Sequence, residues 1–221
     1  LAAITVTTVV NEVKAAFPDA DTTSIVAYMN KVDRKLATKI RLRTNTLTLT
    51  LTAGDDTYAL SDSVVRIYSA RYERSATRSN SYTMTAEDIS GLDLKFRNWQ
   101  SWANAEPRFY ALDTDSAGAF EVRLAPAPIT STSGSYPNVK LYCSIGGTLT
   151  SGGDLPAKIQ NTDVYRFGAC YHYANDHRKE EAMYWLGLYE KALQEELTLE
   201  FNRMTQKKPE IYVQTPQGGT Y

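Results

Sequence analysis

Two cysteines and two histidines in 221 residues remove several kinds of chemistry at once. Two cysteines in a chain this long make no disulfide framework. Cys143 falls on an apolar alternation and Cys170 on a helical pattern, so buried free thiols are the simpler reading. His172 and His177 are separated by five positions on a helix, which turns them about 140° apart, whereas helical zinc pairs sit at i, i+4. A Ser-His-Asp set would have to use one of these histidines, and no Gly-x-Ser-x-Gly elbow occurs. Neither Gly-x-x-x-x-Gly-Lys-Ser/Thr nor Gly-x-Gly-x-x-Gly is present, so no familiar phosphate cradle is offered. No apolar run approaches the roughly eighteen residues of a membrane span. Charge of one sign is lacking too: 24 basic side chains face 25 acidic ones, a net of −1. That balance argues against a tight duplex-DNA binder, though not against a surface that DNA slides past. The opening LAAITVTTVV lacks the basic segment of a secretory leader. Leu1 rather than Met stands first, so a short stretch is expected to precede it. The expectation is a soluble protein made in a reducing cytoplasm, with no cofactor and no metal.

What is present suits a folded domain: 43% hydrophobic and 22% charged residues leave enough to bury a core. Fifteen tyrosines against six phenylalanines suit either interfaces or half-buried β surfaces. The carboxylate pairs Glu87–Asp88 and Asp113–Asp115 sit in turn-like stretches, where Asp is favoured for backbone reasons. Catalysis is therefore not expected of them. Trp99, Trp102, Phe109 and Tyr110 could stack sugars or anchor a β core.

Along the chain the hydrophobic period changes twice. Val9, Val10, Val13 and Phe17 have helical spacing, and Pro18 stops that helix. After the capping run Asp21-Thr22-Thr23-Ser24, the stripe Ile25, Tyr28, Met29, Val32, Leu36, Ile40 predicts a second helix. Its far side carries Lys31, Arg34, Lys35 and Lys39, a row that could meet phosphate but that reads more plainly as a solvated face. Thr46 to Thr52 then alternates leucine and threonine strictly, predicting a strand with a leucine face and a threonine face. Tyr58–Leu60, Val64–Tyr72, Arg108–Leu112, Phe120–Leu124 and Val139–Ile145 predict further strands. In Val64–Tyr72, alternation puts Val65, Ile67 and Ser69 on one face. Ser81 to Asn104 shows no clear period. Asn161, Thr162 or Asp163 is expected to cap a helix with Val164, Phe167, Tyr171 and Ala174 inward. A longer stripe follows: Ala182, Trp185, Leu186, Tyr189, Leu193, Leu197, Phe201, Met204. Glu180, Glu181, Glu195, Glu196 and Glu200 form its charged, solvated side. Thr205 to Tyr221 has two prolines, two glycines and no period, yet Ile211, Tyr212, Val213 and Tyr221 are spaced along it like anchors.

The predicted fold class is α+β: an α-helical bundle from N- and C-terminal helices, an inserted antiparallel β-domain of six to eight strands, and an extended C-terminal arm. The expected divisions are 1–44 for the N-terminal helices and 45–153 for the β-domain. Residues 154–204 form the C-terminal helical pair, packed on the N-terminal helices, and 205–221 the arm. Such an arm most simply orders on a partner; the plainer alternative is a frayed terminus with no role.

The order of these elements resembles the head-to-tail adaptor (connector) proteins of short-tailed bacteriophages. Ile25-Val-Ala-Tyr-Met-Asn30 is similar to their hydrophobic helix with a Trp/Tyr-Leu-Asn step. Asp56-Thr-Tyr58-Ala-Leu60 before Val64-Val-Arg-Ile67 resembles their Tyr-x-Leu-Pro and following strand, with Ser61 in place of Pro. Pro107-Arg-Phe-Tyr110 resembles a strand entry, and Val122-Arg-Leu-Ala-Pro126-Ala-Pro128 a strand exit. Leu155-Pro156 with Tyr165 to Ala174, and Glu181-Ala182 to Tyr189, resemble the two closing helices. The likeness runs from about Thr22 to Phe201.

The resemblance implies a structural virion protein without catalysis. It implies a ring, usually of twelve copies, between portal protein and tail nozzle protein. The ring would line the DNA exit channel, touch passing DNA transiently and without sequence preference, and contact no membrane. It would be assembled in the host cytoplasm and reside at the head-tail junction of the virion. The arm, with Lys207, Lys208, Ile211, Tyr212, Val213 and Tyr221, would grip the portal. The competing expectation is a carbohydrate-binding β-domain module of a phage tail or cell-surface protein.

Overall fold

The computed structural model describes residues 4–75, 81–95, 103–114 and 119–206, with 95 and 204–206 as backbone only. Among these described residues the fold is mixed α/β, with five helices and a seven-stranded sheet. Helix α1 (Val6–Ala16) starts on Thr5, whose hydroxyl accepts the Thr8 N–H. Helix α2 (Thr22–Lys39) starts on Asp21, whose carboxylate accepts the Ser24 N–H at 2.9 Å. Both caps satisfy a first-turn donor that the helix itself leaves open.

The strands are β1 (Arg43–Thr50), β2 (Thr57–Ala59), β3 (Val64–Glu73), β4 (Ser81–Ala86), β5 (Phe109–Thr114), β6 (Phe120–Ala125) and β7 (Asn138–Ile145). Short helix α3 (Ile89–Lys95) falls between β4 and β5. The strands run in the order β1-β7-β3-β4-β5-β6-β2. The edge strands β1 and β2 are consecutive in the chain, so a short turn joins opposite edges and the sheet curls. The curl encloses Leu49, Leu51, Tyr72, Met84, Tyr110, Val122, Leu124, Val139 and Leu141. The leucine–threonine alternation of β1 is thereby explained: Leu49 and Leu51 are buried, while Thr46, Thr48 and Thr50 are exposed.

Two expectations for the sheet are corrected. It is not wholly antiparallel, because β4 and β5 pair in parallel through Thr85–Phe109 and Ala86–Tyr110. A parallel pair needs a crossover rather than a tight turn, and α3 lies on that connection. The β3 alternation is also broken. Its register against β7 shifts between Val64 and Arg66 and again between Ile67 and Ser69, which leaves Val65 and Tyr68 as extra residues. Bulges of this kind re-aim side chains. Val64, Ala70 and Tyr72 are buried with the sheet core, whereas Val65 packs against the helical core.

Helices α4 (Asp163–His177) and α5 (Lys179–Gln206) close the described chain. Helix α4 packs on α5, α2 and α1, and the four share one hydrophobic core. The inward face of α4 differs from the expected one. Val164 and Ala174 are buried, but Tyr165, Gly168, Ala169, Cys170 and Tyr173 are buried with them, and Phe167 and Tyr171 only partly. Three partner helices demand a wider apolar sector than one stripe supplies.

Helix α5 has 28 residues and α4 has 15. At about 1.5 Å per residue, α5 outruns its neighbour by roughly 20 Å. The expectation of a solvated glutamate side fails in that overhang: Glu196 is 1% exposed and Glu200 is 8% exposed. The Glu196 carboxylate accepts the backbone N–H of Gln160 at 3.2 Å and of Asn161 at 2.7 Å. It thus serves donors just ahead of α4, where Thr162 makes no side-chain cap bond. Glu200 pairs with Arg203 at 2.8 Å. Phe201, expected inward, is 65% exposed.

Candidate interaction surface

The helical layer and the sheet meet at Asp33, which is 0% exposed. Its Oδ1 accepts the Tyr165 hydroxyl at 2.5 Å. Its Oδ2 accepts Arg43 Nη1 at 2.7 Å and the Gly147 N–H at 2.7 Å. One carboxylate therefore ties α2 to α4, to the start of β1 and to the turn after β7. A buried charge is tolerable only when paired and hydrogen-bonded in this way. Burial, with the Asp33 charge beside it, pushes the Tyr165 phenol far above its ordinary value. Gly147 has φ +76°, and a Cβ there would strike the Arg34 side chain. Asn30, three residues earlier on α2, repeats the arrangement: its side-chain amide donates to the Leu149 carbonyl at 3.1 Å and accepts the Leu149 N–H at 2.7 Å.

These ties fix α2 with its basic row outward. Lys31, Lys35, Lys39 and Arg41 are all exposed. Lys31 stands over the Tyr28 ring at 4.9 Å and Lys35 over the Tyr189 ring at 5.0 Å. Arg41 stacks at 4.0 Å on Tyr68, the side chain thrown out by the second β3 bulge, and Arg66 lies 5.4 Å from the same ring. The row on α2 was legible in the sequence; the joining of Arg41 to Arg66 was not, because it runs through Tyr68, which a β3 bulge re-aims.

The arm residues Lys207, Lys208, Ile211, Tyr212, Val213 and Tyr221 lie outside the described residues. So do Phe96, Trp99, Trp102 and Asp115. The rest of the supposed sugar platform is core: Tyr110 is buried, and Phe109 packs on Leu92, Ala111 and Ala125. Asp113 pairs with Arg123 at 2.8 Å, and Asp88 accepts the Gly91 N–H at the start of α3. Cys143 and Cys170 are buried free thiols, as expected, and burial raises both pKa values, that of Cys170 to about 12.

His172 stacks on Tyr28 with centroids 6.0 Å apart, and His177 lies 4.6 Å from the Tyr173 ring. Burial, and then the nearby Lys31, lower the His172 pKa. Among the described residues no group of three His, Cys, Asp or Glu side chains could hold a metal. No helix among them is long and apolar enough to cross a membrane.

Apolar side chains do reach the surface on α5, where Met183 is 74% and Tyr184 65% exposed. On the sheet side Leu112, Phe120 and Ile129 are exposed.

A family model described as SU10 adaptor protein matches residues 4–209. The chain belongs to the SU10 adaptor protein family. It is therefore a phage adaptor protein and a structural virion component, as the order of its sequence elements implied. No curated protein matches the sequence. The adaptor match takes in both helical pairs, the whole sheet, Lys207 and Lys208; Ile211, Tyr212, Val213 and Tyr221 follow it.

Proposed function

We propose that this adaptor is a ring-forming connector at the head-tail junction of a short-tailed phage. Copies, twelve in the arrangement implied by the resemblance, close head-to-tail between the portal and the tail nozzle and surround the DNA exit channel. Family membership carries this reading. Two features support it further. Exposed apolar side chains such as Met183 and Tyr184 offer contact area to a neighbour. A net charge of −1 avoids a strong grip on exiting DNA. Closed rings arise from heterologous contacts, in which two different surfaces of the same chain meet.

The sequence suggested divisions at 1–44, 45–153, 154–204 and 205–221; with β1 starting at Arg43 and α5 running to Gln206, the helical wall takes 1–42 and 154–206, the β-lobe 43–153 and the arm 207–221. The arm grips the portal through Lys207, Lys208, Ile211, Tyr212, Val213 and Tyr221. The protein acts by binding, not by catalysis, in keeping with a structural family.

Co-sedimentation with portal rings tests the reading. The full chain pellets with portal, and a chain lacking 207–221 stays folded but remains in the supernatant. Equal pelleting of both forms removes the arm from the account, and failure of the full chain to pellet removes the portal.

A further inference from the structure

The basic row of α2 does not end with the helix. Lys31, Lys35 and Lys39 recur every four residues, about 6 Å apart along the axis. Arg41 follows, and through Tyr68 it adjoins Arg66 on β3. The five cations form one stripe across the helical layer and the sheet.

Three observations separate this stripe from an ordinary solvated face. The first is pairing. Several cations elsewhere in the fold hold carboxylates, among them Arg43 with Asp33, Arg74 with Glu106, Lys140 with Glu73 and Arg178 with Asp19, while Arg34, Arg71 and Lys158 donate to carbonyl or hydroxyl oxygens. None of the five stripe cations has a carboxylate within ion-pair distance among the described residues. Asp176 feels the charge of Lys31, but it accepts the Tyr28 hydroxyl at 2.8 Å instead.

The second observation is seating. Four of the five rest on tyrosine rings, which orient a cation while leaving its charge uncancelled. The third is the bulge that throws Tyr68 out of the β3 alternation to lie beneath two arginine side chains. With these five set aside, the remainder of the chain is acidic, since the totals are 24 basic and 25 acidic.

We propose that Lys31, Lys35, Lys39, Arg41 and Arg66 contact the phosphate backbone of duplex DNA. The lysine spacing of about 6 Å is close to the roughly 6.8 Å that two phosphate steps of one strand span along the duplex. Nothing in the stripe reads bases, so the contact is independent of sequence. For a single copy it falls in the weak, salt-labile range of non-specific binding, about 10⁻⁴–10⁻⁶ M. The proposal deepens the connector reading and rests on it, because it assigns one surface to the DNA that a head-tail adaptor surrounds.

Fluorescence anisotropy of a labelled 20-base-pair duplex tests it, using the full chain between 50 and 200 mM salt. The affinity of the wild-type chain should fall with log salt at a slope between about −2 and −4.5. Lys35→Gln, Lys39→Gln and Arg66→Gln should each make the slope shallower by about one. Arg74→Gln removes a cation that Glu106 already occupies and should leave the slope alone. Tyr68→Leu keeps every charge but removes the shared seat, and should weaken binding without changing the slope.

A slope untouched by the stripe substitutions overturns the proposal, as does absence of salt-dependent binding at 50 mM. Co-sedimentation of the same variants with portal separates this failure from that of the connector reading. If they lose portal or one another while the wild-type chain ignores DNA, the stripe meets an acidic protein face and the connector reading stands. If the wild-type chain binds duplex through the stripe but never joins portal, the connector reading falls alone.

Discussion

Tyr165 donates its hydroxyl proton to Asp33 at 2.5 Å across the α2–α4 contact, and both side chains are 0% exposed. The bond is one of three that neutralise a carboxylate at the meeting point of helices and sheet. Tyr165→Phe keeps the packing but leaves Oδ1 without its donor, and should cost about 1–3 kcal/mol in urea unfolding. Asp33→Ala strands the Tyr165 hydroxyl, the Arg43 guanidinium and the Gly147 N–H together. It should cost about 3–5 kcal/mol, nearer the lower figure because Arg43 is partly exposed. A near-neutral Asp33→Ala would mean that helices and sheet are joined elsewhere.

Gly168 sits where α2, α4 and α5 converge. A Cβ there would lie 2.5 Å from Val32 Cγ2 and 3.0 Å from the Tyr189 ring. Gly168→Ala should therefore destabilise by about 1–3 kcal/mol despite the better helix propensity of alanine. A rise in melting temperature would show that the three helices pack more loosely than described.

On β1, Thr48 is exposed and directly opposite Lys140, while Leu49 is buried opposite Val139. Thr48→Glu should be neutral within about 0.5 kcal/mol, because it faces a lysine. Thr48→Lys sets like charges across the strands and should lose a few tenths, about 0.2–1 kcal/mol. Leu49→Lys should unfold the sheet, since it buries an unpaired charge. Similar circular-dichroism melts for Thr48→Lys and Leu49→Lys would contradict the register.

His172 introduces a pH dependence whose sign follows from burial. Its folded pKa lies below the ordinary 6.5, chiefly through burial and then through Lys31. The unfolded chain therefore binds the proton more readily, and stability falls as pH drops below 6.5 until the lowered folded value is passed. His172→Gln should flatten that part of the curve. An unchanged slope would assign the dependence to other groups.

Much of the fold was legible because its longest segments obey a single period. Every member of the Ile25, Tyr28, Met29, Val32, Leu36, Ile40 stripe is buried, and the leucines of β1 turn inward. What escaped was decided by neighbours. Two bulges reset β3 twice within ten residues, so simple alternation misplaced Val65 and Tyr68. Strand β4 and helix α3 are short and carry little periodic signal. Glu196 looks solvated on a helical wheel, but the α5 overhang places it against the unserved N–H groups ahead of α4. The basic row of α2 was visible, but its continuation through Arg41 and Arg66 depended on Tyr68.

Imaging of negatively stained protein, alone and mixed with portal rings, bears most directly on the connector reading. That reading predicts closed rings of this chain seated coaxially on one end of the portal, in the mixture if not in the protein alone. Single copies that leave the portal bare at every ratio would contradict it.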